Sequence, residues 1–131
     1  MSRITATLSV LSDQVHPDQI TAILSFTPDH TVLKGADRDP PRPVPKSFGW
    51  YVTSMQQGGG TVDGVLSLLL KRPGLLYGKL QSLYEADPDV RVEFHVSVVP
   101  PAEKISLYFR PETINGLSKF GGSLDLEFFD A

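Results

Sequence analysis

The chain contains no cysteine. That absence removes disulfides, thiolate metal sites and a thiol nucleophile together, and it fits a reducing compartment. A strong charge of one sign is missing too: 12 Lys+Arg stand against 15 Asp+Glu, a formal charge of −3. Non-specific nucleic-acid binding needs a basic footprint, so nucleic acid is not an expected partner. Long apolar runs are also absent. The most apolar stretch, Val65 to Leu70, is closed by Lys71-Arg72-Pro73-Gly74, far short of the ~20 residues of a membrane helix. The amino-terminal Met-Ser-Arg-Ile-Thr-Ala-Thr-Leu alternates from the start and has no apolar block of the signal-peptide kind. The expected location is the cytoplasm, with no membrane partner.

What is present is enough for one core. A chain of 131 residues with 40% hydrophobic content lies in the size range that buries roughly 65–70% of its unfolded surface. A single domain over residues 1–131 is expected. Ile4, Ala6, Leu8 and Val10 alternate with Thr5, Thr7 and Ser9, the period-2 pattern of a strand with one buried face. His16-Pro17-Asp18-Gln19-Ile20 opens a helix, with Pro17 at its first position and Asp18 at its positive end. Residues Lys34 to Lys46 carry prolines at 40, 41, 43 and 45 among mixed charges, which predicts an exposed, poorly ordered loop.

Phe48, Trp50 and Val52 mark a second strand, with all three on the core side. Val62, Val65, Leu66, Leu69 and Leu70 give the stripe of a second helix, Pro73-Gly74 kinks or breaks it, and Leu76, Leu80 and Leu83 continue it. Val90, Val92, Phe94, Val96 and Val98 form the clearest strand. Ile105, Leu107 and Phe109 suggest a fourth, Pro111 to Phe120 a third helix, and Leu124, Leu126 and Phe128 a last strand. The predicted fold class is α+β: a twisted, mostly antiparallel five-stranded sheet with helices on one face, in the order βαβαββαβ. Its last six elements match a ferredoxin-like core, with the first strand and helix as an amino-terminal addition. A spacing match between Val15–Phe26 and Phe109–Phe120 makes both segments a strand running into a proline-started helix; duplication and convergent helix-start chemistry explain it equally well.

The residues leading to His16-Pro17-Asp18-Gln19-Ile20-Thr21, then Pro28, Lys34-Gly35, Phe48-Gly49-Trp50-Tyr51-Val52 and the closing Leu124-Asp125-Leu126, resemble the bacterial family catalogued as domain of unknown function 4279. The likeness spans nearly the whole chain. The proline-rich stretch between Gly35 and Phe48 departs from the family pattern. The resemblance implies no activity and no catalytic residues.

No nucleophile motif, phosphate loop or metal spacing appears, so catalytic, cofactor and metal residues are expected to be none. His16, His30 and His95 lack helical i, i+3 or i, i+4 spacing; His16 reads as a helix cap and His30 as a loop residue. His95 and Glu93 share a strand face and could form an acid–base pair, but a solvated cross-strand cluster is the commoner arrangement. Gln57-Gly58-Gly59-Gly60-Thr61 lacks the lysine of a phosphate loop and reads as a connection. Pro40-Pro41-Arg42-Pro43 fits a polyproline ligand pattern, against which stands a stiff spacer.

Alternation places Thr7, Tyr51, Arg91, Glu93, His95, Tyr108, Asp125 and Glu127 opposite the apolar stripe. If helices cover only the apolar side, these residues form one open polar surface with aromatic anchors. The expectation is a non-enzymatic protein-interaction module, immunity-like or regulatory, whose partner is another protein. The alternative is a small-ligand binder or enzyme with a pocket near Trp50 and the Gly58–Gly60 connection.

Overall fold

The computed structural model describes residues 3–57, 60–72, 79–99 and 107–129. Its elements are β1 (Arg3–Ser12), α1 (Pro17–Leu24), β2 (His30–Val32), β3 (Phe48–Gln57), α2 (Val62–Lys71), α3 (Leu80–Ala86), β4 (Arg91–Val99), α4 (Pro111–Phe120) and β5 (Ser123–Phe128). The strands make one open five-stranded sheet in the order β2-β3-β1-β4-β5. β1 pairs antiparallel with β3, from Arg3↔Gln57 to Ser12↔Phe48, and with β4, from Arg3↔Val99 to Leu11↔Arg91. β5 runs parallel to β4. A parallel neighbour needs a crossover, and α4 lies in the chain between the two strands.

The α+β class, the mostly antiparallel sheet and the one-sided core follow from the alternation. Ile4, Ala6, Leu8 and Val10 of β1, Trp50 and Val52 of β3, and Val92, Phe94, Val96 and Val98 of β4 are all buried. They join Ile20 and Leu24 of α1, Val65, Leu66 and Leu69 of α2, Leu80 and Leu83 of α3 and Phe120 of α4 in one cluster. Trp50 is enclosed: its Nε1 donates to Thr21 Oγ1 at 3.1 Å, and the Phe26 ring meets it edge-on at 6.2 Å. Phe94 meets Phe120 edge-on at 5.4 Å.

Three expectations need correction. Among the described residues the element order is βαββααβαβ, and β1 is the central strand instead of an addition to a ferredoxin-like core. His30, expected in a loop, opens the edge strand β2, which pairs with β3. Leu107 to Phe109 forms no strand; these residues lead into α4, and the rest of that expected strand, Ile105 and Ser106, lies outside the described residues. So do Gly58, Gly59, Pro73, Gly74 and Leu76, although α2 and α3 stand on either side of the expected break.

The helix starts use the residues the sequence offered. His16 Nδ1 accepts from Asp18 N at 3.1 Å, and Gln19 Oε1 accepts from His16 N at 3.2 Å, a reciprocal cap in front of Pro17. Thr61 Oγ1 accepts from Gly64 N at 2.9 Å at the start of α2. α4 has no side-chain cap of its own. The carboxylate of Asp63, in the first turn of α2, instead holds the residue in front of α4: Arg110 N and Nε donate to its two oxygens at 2.9 and 2.7 Å. α4 ends on Gly121, whose φ of +67° suits a residue without a Cβ.

The proline-rich loop is mostly exposed and contains no helix or strand. It is nonetheless closed at its base. Gly35 N donates to Pro45 O at 2.9 Å, Lys34 Nζ donates to Asp13 O at 3.1 Å, and Ser47 Oγ donates to Asp13 Oδ1. Limited proteolysis should therefore cut first within residues 36–44, and Asp13→Ala should speed that cleavage by releasing Ser47. Earlier cleavage within α1 or α2, read by mass spectrometry of the first fragments, would contradict this layout.

Candidate functional site

The odd-numbered side chains of β1, β3 and β4 point away from the helices and are mostly half-buried, whereas their even-numbered neighbours are mostly buried. Strand register sorts them into rows across the sheet. One row runs Thr53, Thr7, His95, Asp125, and the next runs His30, Tyr51, Ser9, Glu93, Ser123. A third runs Met55, Thr5, Ser97, Glu127.

His95 is the best-connected group on this surface. Its Nδ1 lies 3.0 Å from Asp125 Oδ2 and its Nε2 lies 3.2 Å from Glu127 Oε2. Neutral imidazole has one N–H and can donate to only one of these acids; the imidazolium donates to both. The acids sit at opposite ring nitrogens, so they do not converge on a point where an ion could sit. Among the described residues no group of three His, Asp or Glu side chains could hold a metal ion.

At the other end of the face, the Tyr51 and His30 rings stack at 5.7 Å with 30° between their planes. The Tyr51 ring lies back along its own strand over Gly49, where a Cβ would come within 2.5 Å of the phenol oxygen. Glycine at 49 thus lets the ring lie against the sheet. Arg91 Nη2 donates to Ser47 Oγ at 2.8 Å, which joins this face to the base of the proline-rich loop.

Six of the expected residues, Tyr51, Arg91, Glu93, His95, Asp125 and Glu127, thus share one surface with Thr7. Tyr108 does not lie in the sheet: it precedes α4 in the non-strand segment and is 70% exposed. The strand expected to carry it gives way to the turn in which Arg110 reaches Asp63. Sequence reasoning also missed His30, since a three-residue edge strand has too few positions to display alternation. The sign of the surface is mixed: Asp125 stands in the row of His95, Glu93 in the row of His30, and Glu127 in the third row.

Two further charged clusters are structural ties. Arg72 grips Asp29 with both terminal nitrogens, at 2.5 and 3.0 Å, and Thr53 N donates to Asp29 Oδ2 at 2.8 Å. The Arg72 hydrogen bonds hold the Asp29 carboxyl below its ordinary range against the opposing effect of burial, and Asp29 in turn raises Arg72. For Asp63, burial pushes the carboxyl upward. The Arg110 backbone N–H, the nearby Thr113 hydroxyl and the Arg110 guanidinium outweigh that burial, leaving Asp63 lowered. The Thr113 hydroxyl favours the ionised acid without reaching full hydrogen-bond geometry.

The Trp50 side chain exposes no surface. An open groove of about 470 Å³ lies beside α1, lined by Gln14, Val15, Gln19, Ala22, Ile23 and Ala86. None of these side chains titrates, so the described lining of the groove offers no acid or base. No helix among the described residues is long and apolar enough to cross a membrane.

Neither a curated protein nor a solved structure matches the chain. A family model described as "Domain of unknown function (DUF4279)" matches residues 2–130. The match covers nearly the whole length, from the start of β1 past the end of β5, and the chain therefore belongs to the DUF4279 family.

Proposed function

We propose that this chain is a non-enzymatic protein-interaction module, immunity-like or regulatory, that docks a partner protein on the open polar face of its sheet. The observation that supports this most is the one-sided packing. The core lies with the helices on the even-numbered side, while the odd-numbered side presents Tyr51 stacked on His30 at one end and the His95–Asp125–Glu127 cluster at the other. Aromatic anchors among mixed charges are the composition of protein interfaces. An enzyme gathers its acid, base and binding groups in a concavity, and the described residues that line the groove beside α1 include no titratable side chain. The cysteine-free composition supports a reducing compartment, and we place the protein in the bacterial cytoplasm.

The test is affinity purification of the tagged protein from its host, read by mass spectrometry, beside a Glu93→Lys/Glu127→Lys variant. The wild type should recover one stoichiometric protein, and the variant should lose it. Thermal stability should change little, because both side chains lie on the sheet surface outside the core, where substitutions shift it by about 0.5 kcal/mol or less. Recovery that survives both reversals, or repeated recovery of the bait alone, would overturn the proposal.

A further inference from the structure

We propose that the outer edge of β5 accepts an extended segment of a partner protein in which lysine or arginine alternates with apolar residues. The proposal rests on the interaction reading above in taking the partner to be a protein, and it moves the contact to the rim of the same face. β5 pairs with β4 on one side, and no described residue pairs with the other. Such an edge presents a row of backbone N–H and C=O groups that an added strand completes.

The side chains of β5 specify what that strand should carry. On the helix side Leu124 and Phe128 are 40% and 50% exposed, so the core leaves part of their apolar surface in water. On the polar side the Asp125 and Glu127 side chains are 72% and 50% exposed, and both face the single imidazole of His95. Glu93 stands in register with Ser123 at the start of the strand. Two carboxylates thus sit on one imidazole, a third stands two residues along β4 on the same face, and Arg91 donates to Ser47. Side chains of an added strand follow the same alternation, so one set flanks Leu124 and Phe128 while the other flanks Asp125 and Glu127.

Opposite charges across a strand pair are favourable and like charges are not. A second copy of this chain is therefore a poor occupant. With the two polar faces continuous, β5 set against itself brings acids onto acids.

The experiment titrates the full chain with two short capped peptides, one alternating valine and lysine, the other valine and glutamate, followed by amide NMR. The lysine peptide should bind roughly tenfold tighter, the sum expected for two favourable against two unfavourable cross-strand pairs. Its binding should shift the β5 amides and slow exchange of those pointing away from β4. Asp125→Asn/Glu127→Gln should erase the preference, and Asp125→Lys/Glu127→Lys should reverse it. Equal binding of both peptides, a preference that survives the variants, shifts confined to other elements, or no binding at millimolar peptide would each overturn the proposal, leaving the acids as guards against strand addition. Capture of the host partner without peptide binding would overturn the edge docking alone. Peptide binding at β5 with no host partner recovered would overturn the face reading alone.

Discussion

Trp50→Ala is expected to lower the unfolding free energy by about 3–5 kcal/mol, enough to threaten folding of a domain this small. The side chain exposes no surface, contacts Phe26 edge-on and donates its indole N–H to Thr21. Truncation removes the buried aromatic area, opens a cavity between β3 and α1, and leaves the Thr21 hydroxyl without its donor. Trp50→Phe should cost less, about 1–3 kcal/mol, since most of the area returns while the hydrogen bond does not. Phe94→Ala should resemble Trp50→Ala, because Phe94 is 1% exposed and set against Phe120. Tyr51→Ala, on the opposite face, should cost far less. Urea titrations measure all four, and an unchanged midpoint for Trp50→Ala would mean that the register of β3 is wrong.

The second large effect is expected at Asp63. Asp63→Ala leaves both the backbone N–H and the guanidinium of Arg110, at the start of α4, without their acceptor, for a cost of about 2–3 kcal/mol. The same carboxylate makes stability depend on pH. Its folded pKa lies below the unfolded one, so its contribution is fully present above the unfolded value, about 4, and disappears as pH falls through the folded value below that. Asp29 acts in the same direction, but its side chain is 40% exposed and solvent weakens its share. Urea midpoints from about pH 7 to pH 2 should fall on the acid side, and Asp63→Asn should flatten that fall. An acid limb identical in wild type and Asp63→Asn would exclude this role.

The fold was legible wherever a long strand has one wet and one dry face. β1 and β4 alternate over most of their length, and the structure buries each apolar position that the pattern selected. The polar face was legible for the same reason, since parity alone puts Glu93, His95, Asp125 and Glu127 on one side. Strand order was not, because pairing between residues far apart in the chain leaves no local signal that β1 sits in the middle. The alternation of Leu107 and Phe109 misled: Leu107 is exposed, and the backbone beyond it is directed to Asp63 instead of a neighbouring strand. The ties at Asp13, Asp29 and Asp63 were hidden for a similar reason. Each joins segments distant in sequence, so a lone aspartate in a loop or first helical turn reads only as solvated or capping chemistry.

The polar face can be tested directly by adding the host partner to isotopically labelled protein and following side-chain NMR signals on its two sides. Thr5, Thr7 and Thr53 methyls and the His95 ring report the polar face; Ile20, Leu66 and Leu69 methyls report the buried side. The prediction is that the threonine and His95 signals shift or broaden at stoichiometric partner while the buried methyls hold their positions. Changes centred on Ala22 and Ile23 beside the groove at α1, with the His95 ring unmoved, would contradict it.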